Sequence, residues 1–303
     1  MDELRGKQAV WRFGSESIAI RYATGWFKDP LLKKLGQCEV PIAAIASVDF
    51  RPGAGKKKGW VLQLHLREHA DPYATAGAML NEKAQPFRLT GPAKTELLAE
   101  YYSDQITFAI ENALDDATAT DPAQVATRLV PKLPLHITTE EGTATFDGAS
   151  VRLVWSGSAA TTRKRKEQRR EFPLSRVAAA EWVPSDGWEY GYLRVVEHGF
   201  AAKEAVKPKH DFSCLLCEEG REGAATLLMA ATITAYIWAG TAQPARQLGA
   251  GPEALPAGEP GTGDGDEEDA VYAQIERLGR LHADGFLTDD EFAAKKAELL
   301  DRL

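Results

Sequence analysis

Cysteine is scarce in this chain, which has only three among its 303 residues. Three unevenly spaced cysteines do not make a framework of paired disulfides, and so low a number is typical of proteins in a reducing compartment. The first residues also lack the apolar stretch of a secretory signal. Together these two absences predict a cytoplasmic protein.

An excess of positive charge is also missing, because the formal net charge is -8. This argues against nucleic-acid binding by the surface as a whole, although it leaves room for local basic patches. Hydrophobic residues make up 44% and charged residues 26% of the chain, as in an ordinary soluble globular protein. The length is sufficient for two domains.

No catalytic or metal-binding motif withstands a check of its spacing. His65 and His69 match the inverted zinc-protease pattern, but they continue an alternating strand, which would hold the two side chains roughly 13 Å apart. Cys214 and Cys217 are interpreted as ordinary strand residues whose sulfurs face opposite sides. We therefore expect no metal, no cofactor and no enzymatic activity.

What the sequence does contain is a duplication. Residues 39–50 return as residues 171–182, and each copy indicates a strand, a kink at Pro41 or Pro173, and a second strand that ends on an aromatic residue. Further strands are predicted at 9–13, 17–22, 60–66 and 85–89, followed by a helix from about 92 to 114. The second repeat has corresponding strands at 190–196 and 211–217 and a helix from about 223 to 238.

This order of short strands and one closing helix resembles the pleckstrin-homology-like fold. The paired segments also resemble the domain of unknown function 4429 family, over about residues 9–238. The resemblance implies an α+β protein with two tandem small β-barrel or bent-sheet domains, each closed by one helix, and no established activity. The expected boundaries are 1–115 for the first repeat, 116–134 for a connector with a short helix near 122–129, and 135–240 for the second repeat.

The chain changes character after the repeats. Residues 241–269 are rich in glycine, proline and acidic residues and are predicted to form a flexible linker. Residues 270–303 indicate a hairpin of two short helices, separated at Gly285 and capped by Thr288 and Glu291. So short a hairpin cannot bury its own apolar surface and needs a partner.

The hairpin closely resembles the short C-terminal (SHOCT) domain over residues 275–300. The resemblance implies a module for homo-oligomerisation or for docking on a protein partner. We expect the contact to be made by the apolar residues Leu278, Leu281, Phe286, Phe292, Leu299 and Leu300.

Basic residues cluster on the loop before each repeated segment. Residues 163–170 contain six cations, Lys28, Lys33 and Lys34 lie on the same loop of the first repeat, and residues 56–58 add three lysines on the next hairpin. If the repeats are pleckstrin-homology-like, these loops surround one open end of each domain, where an anionic lipid headgroup, membrane surface or nucleic acid could bind. A solvated charged loop is the alternative. The predicted anion-binding residues are Lys33, Lys34, Arg163, Lys164, Arg165, Lys166, Arg169 and Arg170.

Two further interpretations stay open. Residues 224–240 carry no charge and are predicted to form a helix buried between the repeats or in an oligomer, with a membrane span as the alternative. An enzyme with a site between the repeats is the other alternative, in which Asp49 and Glu181 would meet as paired carboxylates. The favoured function is a non-enzymatic cytoplasmic binding or scaffold protein.

Overall fold

The computed structural model describes residues 2–25, 28–53, 59–113, 121–199 and 206–242. The chain divides into a unit of residues 1–246, which contains both repeats, and a unit of residues 247–303. The second unit lies outside the described residues, as does almost all of the predicted acidic linker. The predicted C-terminal hairpin and the three lysines at 56–58 also lie outside them.

The first repeat contains two antiparallel sheets. Strands β1 (Asp2–Arg5), β2 (Ala9–Phe13), β3 (Ser17–Tyr22) and β4 (Gln37–Pro41) form a four-stranded sheet in chain order, with helix α1 (Pro30–Leu35) between β3 and β4. Strands β5 (Ile45–Arg51), β6 (Trp60–Leu66) and β7 (Arg88–Gly91) form a three-stranded sheet. Helix α2 (Glu96–Asn112) packs across β5 and β6.

The second repeat has the same order of elements. After helix α3 (Pro122–Arg128), strands β8 (Leu135–Thr138), β9 (Thr143–Phe146), β10 (Ser150–Val154) and β11 (Arg169–Pro173) form a four-stranded sheet, with helix α4 (Thr162–Glu167) before β11. Strands β12 (Val177–Val183), β13 (Gly191–Glu197) and β14 (Cys214–Cys217) form the three-stranded sheet, and helix α5 (Arg221–Ala242) follows.

The duplicated segment is the corner at which the chain passes from one sheet to the other. A single 3₁₀ turn, Ile42–Ala44 or Leu174–Arg176, separates the two strands in each copy. Proline suits the last position before this turn because it has no N–H to donate to a sheet. The strand–kink–strand prediction is therefore confirmed, as are the α+β class and the strands at 9–13, 17–22 and 60–66.

Two expectations need correction. The sheets are open in the described part of the chain, with no strand pairing that closes a barrel. The basic segments were also expected to be loops, but each contains a short helix. Asp29 and Thr161 cap the amino ends of α1 and α4 by accepting hydrogen bonds from Leu31 N and Lys164 N. Gly36 and Gln168 end these helices with φ of 68° and 65°.

Helix α5 is shared between the two repeats. One of its faces packs into the core of the second repeat through Ala225, Met229, Ala230 and Ile233. The opposite face lies in the same cluster as the core of the first repeat, together with residues of α1 and α3. The residues of this face are Ala224, Leu227, Leu228, Ala231 and Ala235.

The predicted burial of this helix between the repeats is thus confirmed. Among the described helices, α5 alone has the length and hydropathy of a membrane span, and 72% of its apolar window is buried inside the protein. Packing on both faces explains its lack of charge without a membrane.

Candidate anion-binding cleft

The predicted basic cluster does not form one site, because its members have different surroundings. Lys33 and Lys34 are exposed on α1, and Arg165 and Lys166 are exposed at the corresponding positions of α4. Arg169, at the start of β11, is also exposed. These five side chains have the exposure that the prediction requires.

Lys164 does not, and its assignment to an anion-binding surface is wrong. Its side chain is fully buried and forms an ion pair with the equally buried Glu141, at 2.9 Å from Oε1 and 3.1 Å from Oε2. Its Nζ also donates to the carbonyl oxygens of Pro208, at 3.1 Å, and Cys214, at 2.9 Å. All donors of the ammonium are used inside the protein, so it cannot reach an external anion.

Arg163 and Arg170 are exposed but already engaged. The guanidinium of Arg163 lies 5.1 Å from the ring centre of Phe212. Arg170 donates to Glu197 at 3.1 Å and lies 5.0 Å from the ring centre of Phe172. These three contacts hold the two side chains against the second repeat.

A different set of cations surrounds a cleft of about 620 Å³ in the first repeat. The cleft lies where the β1–β2 turn meets β7, because Lys7 N donates to Thr90 O at 2.7 Å. Gln8 fixes this junction by donating to Arg88 O at 2.9 Å and accepting from Thr90 Oγ1 at 2.9 Å. The amino end of α1 and the first residues of β6 complete the walls.

The charge balance of the cleft is positive. Lys7, Lys28, Lys83 and Arg88 line it, against only Asp29 and Glu82. The carboxylate of Asp29 accepts from Leu31 N at the cap of α1, and that of Glu82 pairs with Arg88 at 2.8 Å. Among the described residues, no carboxylate forms an ion pair with Lys7, Lys28 or Lys83. An anionic group entering the cleft would find uncompensated ammonium groups on its walls.

No pattern in the sequence predicts this cleft. Lys7, Lys28, Lys83 and Arg88 are spread over most of the first repeat and belong to no basic run. They come together only because the β1–β2 turn binds the edge of β7, which is a contact between distant parts of the chain. Of the four, only Lys28 belongs to the basic loop before the first repeated segment.

The corresponding region of the second repeat has lost most of these cations, because Ala160 and Cys214 stand at the positions of Lys28 and Arg88. Glu140 occupies the position of Lys7, and Tyr190, at the position of Gly59, donates its hydroxyl to Glu140 Oε2 at 3.1 Å. Glu140 also raises the pKa of the nearby carboxyl of Glu218 by charge repulsion. A basic cleft is therefore a property of the first repeat and not of the duplicated fold.

The alternative in which Asp49 and Glu181 meet as paired carboxylates is wrong. Asp49 Oδ2 lies 3.0 Å from His65 Nε2, while Glu181 pairs with Arg194 at 3.4 Å. The two carboxylates line different cavities. No cluster of metal-ligating side chains occurs among the described residues.

Comparisons with known proteins agree with the duplication. A family model described as a domain of unknown function, DUF4429, matches residues 11–107 and 144–234, which cover the two repeats and more than half of the chain. A second model, the short C-terminal domain, matches residues 273–300. Both predicted resemblances are confirmed. No curated protein matches the chain.

Proposed function

The chain belongs to the DUF4429 family, and from the geometry of its first repeat we propose that it is a non-enzymatic cytoplasmic binding and scaffold protein. In this proposal the first repeat binds a small anionic group, and the C-terminal segment joins copies of the chain or docks on a protein partner. The observation that carries the binding role is the cleft lined by Lys7, Lys28, Lys83 and Arg88.

This proposal includes a pleckstrin-homology-like fold for each repeat, and the arrangement of strands supports it. Each repeat combines a four-stranded and a three-stranded antiparallel sheet with one closing helix. In the first repeat the cleft lies at the end where the β1–β2 turn, the loop before α1 and the start of β6 approach each other. Loops gathered at one end of a rigid scaffold are a common location for binding sites.

The chemistry of the cleft favours a phosphorylated small molecule or headgroup. Lysine ammonium groups provide point charges for phosphate oxygens, and Arg88 can add directional donors if Glu82 releases it. The side chain of Arg88 is only 12% exposed, so its position is well defined. The volume of about 620 Å³ is within the usual range of small-molecule sites.

Assembly through the C-terminal segment would add avidity to this site. A single cleft with a few cations binds weakly, but several clefts on one assembly can engage a repetitive anionic surface together. The proposed contact residues are the apolar side chains of the segment that matches the short C-terminal domain, Leu278, Leu281, Phe286, Phe292, Leu299 and Leu300.

Titration of the full chain with three probes tests the binding role: an inositol phosphate, vesicles that contain anionic lipid, and a single-stranded oligonucleotide. We expect Lys7→Ala combined with Lys83→Ala to weaken the inositol phosphate at least about tenfold, because each lost charge contact is worth about 1 kcal/mol. Lys33→Ala with Lys34→Ala removes the same charge outside the cleft and is the matched control.

The pattern of losses distinguishes the possible sources of the anion. Binding to vesicles but not to the free phosphate would identify a lipid surface, and oligonucleotide binding would identify a nucleic acid. If the control pair weakens binding as much as the cleft pair, the cations act only through their general charge. Absence of binding to all three probes would remove the proposed role of the cleft.

A further inference from the structure

Helix α2 presents an apolar face to solvent. Leu97 is 82% exposed, Phe108 64% and Tyr101 55%, and all three lie on the side of the helix away from its own sheet. Glu100 and Asp104 are exposed on the same side. These exposed fractions are large for apolar side chains grouped on one helix, and such groups mark interaction surfaces.

The inward faces of α2 and α5 show that the two helices are equivalent. In α2 the buried positions are Ala99, Tyr102, Ser103, Ile106 and Ile110. In α5 the positions directed into the second repeat have the same spacing: Thr226, Met229, Ala230, Ile233 and Ile237. Each helix therefore packs on its own repeat with the same rotation about the helix axis.

The same alignment relates the outward faces. Leu97, Glu100, Tyr101, Asp104 and Phe108 of α2 correspond to Ala224, Leu227, Leu228, Ala231 and Ala235 of α5. The α5 residues are buried against the first repeat, where they pack with α1 and α3. Within the part of the chain that the structure describes, the face of α2 that corresponds to this interface has no cover, although three of its five residues are apolar.

Helix α1 of the first repeat packs on α5. Helix α4 is the equivalent of α1 in the second repeat. The two helices occupy the same place between the third and fourth strands of their sheets. Leu31 of α1 is buried in the cluster that contains the outward face of α5, whereas its counterpart on α4 is the exposed Arg163. Arg165 and Lys166 follow on the exposed side of α4.

The two uncovered surfaces are complementary in charge. Where α5 has Leu227 and Ala231, α2 has the acidic Glu100 and Asp104, and where α1 has Leu31, α4 has the basic Arg163. Arg163 is held against Phe212, but the exposed Arg165 of α4 can also stack on an aromatic ring, and α2 offers Tyr101 and Phe108. The contact between α1 and α5 within the chain is apolar. A contact between α4 and α2 would instead join cations to carboxylates and aromatic rings.

We propose that α4 of a second copy of this chain docks on the exposed face of α2. The contact repeats the α1–α5 contact within the chain, but joins the second repeat of one copy to the first repeat of another. Because the two surfaces differ, the interface is heterologous, and it closes into a ring or extends as a filament. Its charged character makes the association sensitive to salt.

Charge exchange in the full chain tests the docking, with the molar mass in solution measured by light scattering. We expect Glu100→Lys with Asp104→Lys to raise the dissociation constant of self-association at least about tenfold, and Arg165→Glu with Lys166→Glu to do the same. The variant that carries all four changes is expected to recover the association. Lys33→Glu with Lys34→Glu makes the same change on α1 and is expected to leave the mass unaltered.

Assembly through the C-terminal segment alone would give one mass for all of these variants and would overturn the proposal without touching the role of that segment. A monomeric wild-type chain would overturn it as well. Mixed oxidation of Tyr101→Cys chains with Arg165→Cys chains is a second readout that does not depend on the charge changes. A disulfide-linked dimer that requires both partners is expected, and its absence contradicts the docking.

Discussion

The two repeats use different side chains to form hydrogen bonds with equivalent backbone groups of β7 and β14. In the first repeat the amide of Gln8 donates to Arg88 O and accepts from Thr90 N at 3.3 Å. In the second, Glu141 accepts from Leu216 N at 2.7 Å, while Lys164 donates to Cys214 O. One neutral side chain thus performs the task that the other repeat gives to a buried ion pair, which shows that the fold requires the hydrogen bonds and not the charges.

The outer surfaces of the repeats differ as well. Lys164 in α4 takes the position that the buried Leu32 has in α1. Its partner, Glu141, takes the position of Gln8. Beside this pair, the surface of the second repeat carries Glu140 and Tyr190 in place of an open basic cleft. Divergence of a few side chains is sufficient to leave only one repeat with a plausible anion site.

Breaking the buried pair is the largest effect we expect. Lys164→Ala leaves the Glu141 carboxylate buried without its cation, which is expected to lower the free energy of unfolding by about 3–5 kcal/mol. Replacing the pair by the residues of the first repeat, Glu141→Gln with Lys164→Leu, is expected to stay within about 1 kcal/mol of the wild type. Urea unfolding of both variants checks this, and a double variant as unstable as Lys164→Ala would contradict the equivalence of the two solutions.

The next largest change in the free energy of unfolding is expected from substitutions on the outward faces of α2 and α5. Leu228→Ala removes a side chain that packs between the repeats and is expected to cost about 2–4 kcal/mol. Tyr101→Ala, at the corresponding position of α2, removes an exposed side chain and is expected to cost less than about 0.5 kcal/mol. Thermal unfolding at a concentration where the chain is monomeric provides the comparison, and equal losses would show that the two faces are not used differently.

A pH-dependent difference of about 3 kcal/mol is expected from Asp71 in the first repeat. Burial raises the pKa of this carboxyl from 3.8 to about 6, against the effect of its hydrogen bonds from Tyr73 N and Ala74 N. Between these two values the folded protein binds more protons than the unfolded one, so the contribution to stability is present below pH 4 and is lost as the pH rises through 6.

Asp71→Asn is the matched variant for this effect, because the amide oxygen can still accept from Tyr73 N. The free energy of unfolding of the variant is expected to change less between pH 4 and pH 7 than that of the wild type. Identical pH profiles for the two proteins would show that Asp71 does not titrate in this range.

Sequence patterns predicted the local elements well because those depend on neighbouring residues. Alternation of apolar residues located β2, β3 and β6, and the duplicated segment located the corner at Pro41 and Pro173. The short helices α1 and α4 were missed, because their basic composition resembles a solvated loop and their caps, Asp29 and Thr161, are single polar residues. The edge strands β1 and β8 are short and were also missed.

The candidate site was predictable only in its general chemistry. The basic run at 163–170 predicts an anion site in the second repeat, but the burial of Lys164 depends on Glu141. Glu141 precedes Lys164 by more than 20 residues, so no local pattern indicates this contact. The cleft in the first repeat depends on pairing between the β1–β2 turn and β7. Contacts of this kind bring together residues whose spacing along the chain has no period to detect.

By itself the sequence determined the duplication, the family, the α+β class and the position of each corner, because composition and periodicity are local properties. Only the tertiary structure decided which cations remain exposed, that α5 is buried on both faces while one face of α2 is exposed, and that the basic cleft belongs to the first repeat. Those outcomes depend on the burial of charge and on packing between distant strands and helices, where the cost of an unpaired ion or an uncovered apolar face selects one arrangement.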